Sequence, residues 1–328
     1  MRYVAAMPPV LALGTAALGR PGYVTLNHAA ALGGNYDPAA MESHAHEVLD
    51  AARAAGIRYL DCARSYGRAE DFVASWLRRR GIPRGEFVIA SKWGYTYTAG
   101  WSTTAKQHEV KDHSLATFNR QLSESLERLD GYLSLYQIHS VTAETKTLDD
   151  DALIDAIAGL REKGIRAGLT VSGPGQDVAI RRSLDVRRDG VHVFDSVQAT
   201  WNLLERGAES ALTDAHAAGM KVVVKEALAN GRLTDGNRYY ESALSPLVAK
   251  IRQIADSHAT TIDRLALGAA LARPWADIVL SGAATVAQLE SNVGASGVRW
   301  DAELEDELRG VAIAPADYWR ARSGFEWN

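Results

Sequence analysis

The chain has one cysteine in 328 residues, Cys62. A lone thiol forms no internal disulfide and builds no cysteine-based metal cage, so a reducing cytoplasm is the expected compartment. Charge of one sign is also missing, because 36 Lys and Arg stand against 40 Asp and Glu for a formal charge of −4. That balance gives no global attraction to nucleic-acid phosphates or anionic lipid. The basic clusters Arg78-Arg79-Arg80 and Arg181-Arg182 fall inside helical patterns near acidic residues and read as solvated helix faces. No run approaches the roughly 18 apolar residues that cross a bilayer, so no membrane association is expected. The apolar stretch 4–18 is broken by Pro8-Pro9 and Gly14, which predicts a buried strand with a turn rather than a secretory signal. Low-complexity tracts, strong linkers and close repeats are absent too.

What is present suits an ordinary globular protein, with 47% hydrophobic and 23% charged residues. Short β-rich apolar runs occupy residues 10–13, 57–60, 87–90, 133–138, 166–171, 193–197, 221–224 and 278–280. Helical spacing follows between them, for example over 41–55, 115–129, 150–163, 207–218 and 262–272. The strand runs do not alternate polar with apolar, which implies burial on both faces, as in a parallel sheet covered by helices. Eight such units predict an α/β fold of the (β/α)8 TIM barrel type, a single domain over 1–328, with an open doubly wound sheet as the alternative. The segments 19–40 and 94–113 exceed ordinary connections and are expected to be substrate-binding loops at the C-terminal face of the strands.

Chemistry-bearing residues sit at successive strand ends. Asp61 ends the second run, with Tyr66 in the turn that follows; Lys92 ends the third and His139 the fourth. Taken singly, Asp61 reads as a helix cap, Lys92 as a surface lysine and His139 as a core histidine. Taken together in a barrel they face one shared cavity, where a lone Lys or Asp is costly unless each offsets the other. A tyrosine of ordinary pKa, about 10, is a weak acid, and the Lys92 ammonium is expected to lower it. Asp61 would hold the lysine charged, and His139 would donate to a substrate carbonyl oxygen.

The stretch Gly56-Ile57-Arg58-Tyr59-Leu60-Asp61 through Tyr66-Gly67, then Ser91-Lys92, then Tyr136-Gln137-Ile138-His139, resembles the aldo-keto reductase superfamily. Leu11-Ala12-Leu13-Gly14-Thr15, Ser196-Val197-Gln198, Ala229-Asn230-Gly231-Arg232-Leu233 and Ser281-Gly282-Ala283 with Gln288-Leu289 and Asn292 fit in order along nearly the whole chain. The resemblance implies an oxidoreductase that passes a hydride between NADP(H) or NAD(H) and a small-molecule carbonyl or alcohol, such as an aldehyde, ketone or sugar. It implies Asp61, Tyr66, Lys92 and His139 as the catalytic tetrad, with Tyr66 as general acid and base. By the same likeness Gln198 and Thr170 would hold the carboxamide, Gly14 and Thr15 would lie near the nicotinamide, and Leu228 would border the pyrophosphate. Ser281, Gly282, Gln288 and Asn292 would surround the adenosine end.

The chain departs from that pattern in three places. Residues Gly168 to Gly173 replace the usual Ser-Asn pair, Lys225 followed by Glu226 stands where an aromatic often stacks on the nicotinamide, and no Lys or Arg lies between Ser281 and Gly297. The last departure leaves a 2′-phosphate without its local partner and admits NADH as well as NADPH, for which Arg residues elsewhere could serve. A Schiff-base lyase using Lys92 and a non-catalytic cofactor sensor are the competing readings. His44 with His46, and His108 with His113, have the wrong spacing for a metal site. Trp93, Tyr95, Tyr97, Trp101 and Trp201 lie near strand ends as candidate pocket aromatics. Ser172-Gly173-Pro174-Gly175 fits no P-loop, and Asp149-Asp150-Asp151 reads as a helix start.

Overall fold

The computed structural model describes residues 9–26, 28–237, 244–325 and 327; residues 4–8 of the apolar first stretch lie outside them. Eight strands form the centre: β1 (Val10–Gly14), β2 (Tyr59–Asp61), β3 (Val88–Trp93), β4 (Leu133–Val141), β5 (Arg166–Val171), β6 (Ser196–Thr200), β7 (Lys221–Lys225) and β8 (Ile278–Ser281). They pair in chain order, all parallel, and β8 closes on β1. The open-sheet alternative is thereby excluded.

Side chains of a strand point alternately to its two faces. Ala12, Tyr59, Ala90, Leu135, Val223 and Leu280 pack together as a small cluster inside the barrel. Their neighbours Leu13, Leu60, Ile89, Tyr136, Val222 and Val279 join the main core between strands and helices. Two residues beyond each member of the inner cluster, the same parity delivers Gly14, Asp61, Lys92, Gln137, Lys225 and Gly282. A polar layer therefore caps an apolar one at the C-terminal end of the strands.

The outer helices start where local chemistry allows. Asp37 accepts from the Ala39 and Ala40 amides, with Pro38 at the first helical position, and opens α1 (Pro38–Ala54) three residues before the apolar pattern suggested. After α2 (Ala69–Arg79), Ser114 caps α3 (Leu115–Leu129) and Asp150 caps α4 (Asp151–Ala158), which tightens into a 3-10 turn over Gly159–Lys163. α5 (Gln176–Asp185), α6 (Glu209–Ala217), α7 (Ser245–Ser257), α8 (Ile262–Leu271) and α9 (Val286–Val293) follow, and α10 (Pro315–Ser323) returns over the barrel mouth. Arg80 pairs with Asp50, Arg181 with Asp214 and Arg182 with Asp149, so the basic clusters are ion-paired helix faces.

Two sequence expectations shift. The run 193–197 becomes a strand only from Ser196: Val193 bonds back to Val186 and Asp195 to Ala167, so the apolar pair Val193 and Phe194 packs below the ladder. Segment 94–113 is not plain loop, since Tyr95–Tyr97 and Glu109–Lys111 pair as an antiparallel hairpin that stands over the barrel mouth. Among the described residues no helix is long and apolar enough to cross a membrane.

Candidate active site

The C-terminal ends of the strands open into a cavity of about 750 Å³. Asp61 is its electrostatic centre. One carboxylate oxygen receives the Lys92 ammonium at 2.5 Å, and the other receives the side-chain amides of Gln198 at 3.0 Å and Gln137 at 3.3 Å. Lys92 is about 1% exposed and also donates to the Cys62 carbonyl at 2.9 Å and the Tyr66 hydroxyl at 3.4 Å. The loop carrying Tyr66 is pinned from below, where Arg64 bonds both Glu70 and Glu124, and Glu70 accepts from Ser91 and Ser125.

His139 stands edge-on to Tyr66 with ring centroids 5.6 Å apart, and edge-on to Tyr95 at 5.0 Å. It occupies an irregularity in the β4–β5 ladder between Ile138 and Val141, and the next residue, Ser140, has φ 59°. Such a local kink re-aims a side chain out of the regular pleat. His113 donates to or accepts nothing from the imidazole itself; its Nε2 meets the His139 carbonyl at 2.8 Å and holds the backbone. The Nδ1 of His139 has no hydrogen-bond partner among the described residues.

Protonation follows from burial. Burial, helped by Lys92, Lys225 and Arg20, pushes the His139 imidazolium well below the usual range, so the ring is neutral and offers one N–H. Burial and the Asp61 carboxylate hold the Tyr66 phenol well above the ordinary tyrosine value, and Arg20 opposes them. This corrects the expectation of a lowered phenol: the Lys92 charge is offset by its ion pair with Asp61 and does not outweigh burial, so the phenol keeps its proton. Burial lowers Lys225 to about 8. Burial disfavours the Glu226 carboxylate, yet Arg322 and Lys225 outweigh it and hold the group at about 2. Burial likewise pushes the Cys62 thiol up to about 12.

Asp61, Tyr66, His139, Gly14, Gln198, Lys225, Leu228, Ser281, Gly282, Gln288 and Asn292 all line the one cavity. Lys92, Thr15 and Thr170 do not. Lys92 lies beneath Tyr66, the Thr15 hydroxyl donates to the Asp61 carbonyl, and the Thr170 hydroxyl accepts from the Ser140 amide. After β5 it is Ser172, two residues on, that reaches the wall. Lys225 and Glu226 do not form an ion pair with each other among the described contacts; Glu226, at φ 56°, takes the Arg322 guanidinium of α10 through two nitrogens. At the far end Asn292 donates to the Ser281 hydroxyl at 2.8 Å and Gln288 accepts from the Ala284 amide at 2.8 Å, which ties β8 to α9.

Sequence reading missed Arg20, Tyr23, Asp263, Trp319, Arg322 and Trp327, which also line the cavity. Asp263 stands in the first turn of α8, and the others come from loops and from α10, where no period marks a residue as facing the cavity. No group of three or more metal-ligating side chains occurs among the described residues. His44 instead meets the Ala284 carbonyl, and His108 stacks on Trp327.

The model of the aldo/keto reductase family matches residues 11–312. Aldo-keto reductase str7 of Strobilurus tenacellus is 26% identical over 303 residues, covering 85% of this chain and 84% of the relative. L-galactose dehydrogenase of Arabidopsis thaliana is 27% identical, over 81% of this chain and 82% of its own. Among solved structures, the holo form of the aldo-keto reductase AKR11C1 from Bacillus halodurans superposes with a TM-score of 0.70 at 24% identity, covering 93% of this chain and 92% of that one. Because the family match runs through the barrel from β1 to β8, the chain belongs to the aldo/keto reductase family of nicotinamide-dependent oxidoreductases.

Proposed function

We propose that this chain interconverts a small carbonyl compound and its alcohol, with Tyr66 as general acid in reduction and general base in oxidation. The observation that carries the reading is the chain of contacts Asp61–Lys92–Tyr66, at 2.5 and 3.4 Å, beside a neutral His139 in the same cavity. In reduction, His139 donates its N–H to the carbonyl oxygen and fixes that oxygen against Tyr66, whose hydroxyl hands over its proton as alkoxide character develops. Lys92, held by Asp61 and the Cys62 carbonyl, stabilises the phenolate left behind.

A nicotinamide dinucleotide, when bound, supplies the hydride. The residues present fit such a group: the cavity lies within the roughly 300–1,000 Å³ of cofactor sites and joins the Tyr66 end to one built mostly of amides and hydroxyls. Gly14 and Gln198 would lie at the nicotinamide, Leu228 at the pyrophosphate, and Ser281, Gly282, Gln288 and Asn292 at the adenosine. At that last end Asp263, about 9% exposed, lines the cavity and accepts from the Ser291 hydroxyl at 2.6 Å. A carboxylate there repels a 2′-phosphate and accepts from a ribose hydroxyl, which favours NADH over NADPH. Aldehydes and sugars are the substrates to try first, given the aromatic wall of Tyr23, Tyr95 and Trp319.

The Schiff-base reading is not supported, since Lys92 is buried, bonded to Asp61 and absent from the cavity wall. The test is Tyr66→Phe with a panel of benzaldehyde, a ketone and aldoses. Reduction should fall by about 10²–10⁴-fold, while NADH binding, followed by quenching of tryptophan fluorescence, stays within about twofold. Unchanged turnover removes Tyr66 from the mechanism.

A further inference from the structure

Arg20 is about 2% exposed, a placement that arginine tolerates only when its charge is met. Its guanidinium carbon lies 5.0 Å from the centre of the Tyr66 ring, 5.1 Å from Tyr23 and 4.7 Å from Trp327. One terminal nitrogen donates to the Ser65 carbonyl at 2.9 Å and pairs with Glu109 of the hairpin, while Nε has no partner among the described residues. The two loops involved are pressed together. The Arg68 amide donates to the Gly19 carbonyl at 2.7 Å, and a Cβ at Gly67 would fall 2.4 Å from that same oxygen. Residues 20 and 66 are thus locked side by side by backbone contact, independent of their side chains.

We propose that Arg20 is a positioning residue for Tyr66, holding a second positive charge against the ring beside that of Lys92 and so setting how readily the phenol exchanges its proton. The proposal rests on the reading of Tyr66 as acid and base. A cation over an aromatic face is attracted by the ring's electrons, and the attraction grows when the phenol becomes phenolate. The charged and titratable groups facing Tyr66 are Asp61 and Lys92 from the strand ends, His139 from β4, Tyr23 and Arg20 from the first loop, Glu109 from the hairpin, and Glu226 after β7. Among those acting on the phenol, Asp61, Glu109 and Glu226 disfavour ionisation, and Arg20 outweighs either of the two glutamates. Glu109 therefore trims the effect of Arg20 and fastens it.

Two substitutions of opposite sign test this. The pH at which kcat/KM bends for oxidation of benzyl alcohol should rise by about one unit in Arg20→Met and fall in Glu109→Gln, with Arg20→Lys recovering part of the loss. NADH affinity should stay within about twofold in all three, which reports an intact barrel. A bend that stays put in Arg20→Met, or that moves the same way in both variants, reduces Arg20 to packing and overturns the proposal. Turnover that survives Tyr66→Phe overturns this proposal and the functional reading together, whereas a Tyr66-dependent bend indifferent to Arg20 sinks this one alone.

Discussion

The two ends of the cavity handle charge in opposite ways. At the Tyr66 end the carboxylates come with cations, as Asp61–Lys92, Arg20–Glu109 and Glu226–Arg322. At the other end the polar work falls to Ser281, Gln288 and Asn292, which bond one another or the backbone, and Asp263 makes no ion pair among the described residues. Paired charges in a buried site hold one geometry and resist change; neutral hydrogen bonds hold a shape at little electrostatic cost. Substitutions at the first end should therefore cost rate and stability, and those at the second should cost only affinity or selectivity.

The sharpest way to break that comparison is Lys92→Met. It leaves Asp61 uncompensated in a site only 1–3% exposed, so the protein should lose about 3–5 kcal/mol of stability by denaturant unfolding, along with most of its carbonyl reduction. A folded variant of wild-type stability would mean that the pair is not the anchor it resembles.

The barrel and the inward positions of Asp61 and Lys92 were legible because strand parity is a sequence property: Asp61 lies two positions after Tyr59 and Lys92 two positions after Ala90. Helix starts were legible where a cap marked them, as at Ser114, and not where Asp37 capped a segment whose first turn, Pro38-Ala39-Ala40, has no strong periodicity. Thr170 was assigned to the carboxamide by the family resemblance, yet its hydroxyl is taken by the Ser140 amide of the β4 kink, a contact no local pattern announces. Arg20, Glu109 and Trp327 meet across the full length of the chain. Their convergence depends on loop paths that neither period nor motif records.

At the neutral end the expected effect is smaller. Asp263→Asn should raise the NADPH-to-NADH affinity ratio about tenfold, read by fluorescence titration, because it removes a like charge from the neighbourhood of a 2′-phosphate. An unchanged ratio would place the discrimination elsewhere.

Lys225 lies between the two regimes, a cavity lysine without an ion-pair partner among the described residues. Its value of about 8 is below that of free lysine, so the ammonium is present below pH 8 and lost as pH rises through it. Affinity for NADH, whose net charge is negative, should weaken a few-fold between about pH 7 and 9, and Lys225→Met should flatten that dependence. A slope that persists in the variant assigns the titration to another group.

The buried thiol has a consequence for the life of the protein under stress. Cys62 is fully enclosed, held in its neutral form, and adjacent to the Asp61 on which the proposed proton transfer depends. Peroxide and alkylating reagents attack thiolates that they can reach, and here they meet neither condition. Treatment with iodoacetamide should leave turnover untouched, so that this oxidoreductase would keep its activity under oxidation that inactivates enzymes dependent on a reactive thiol.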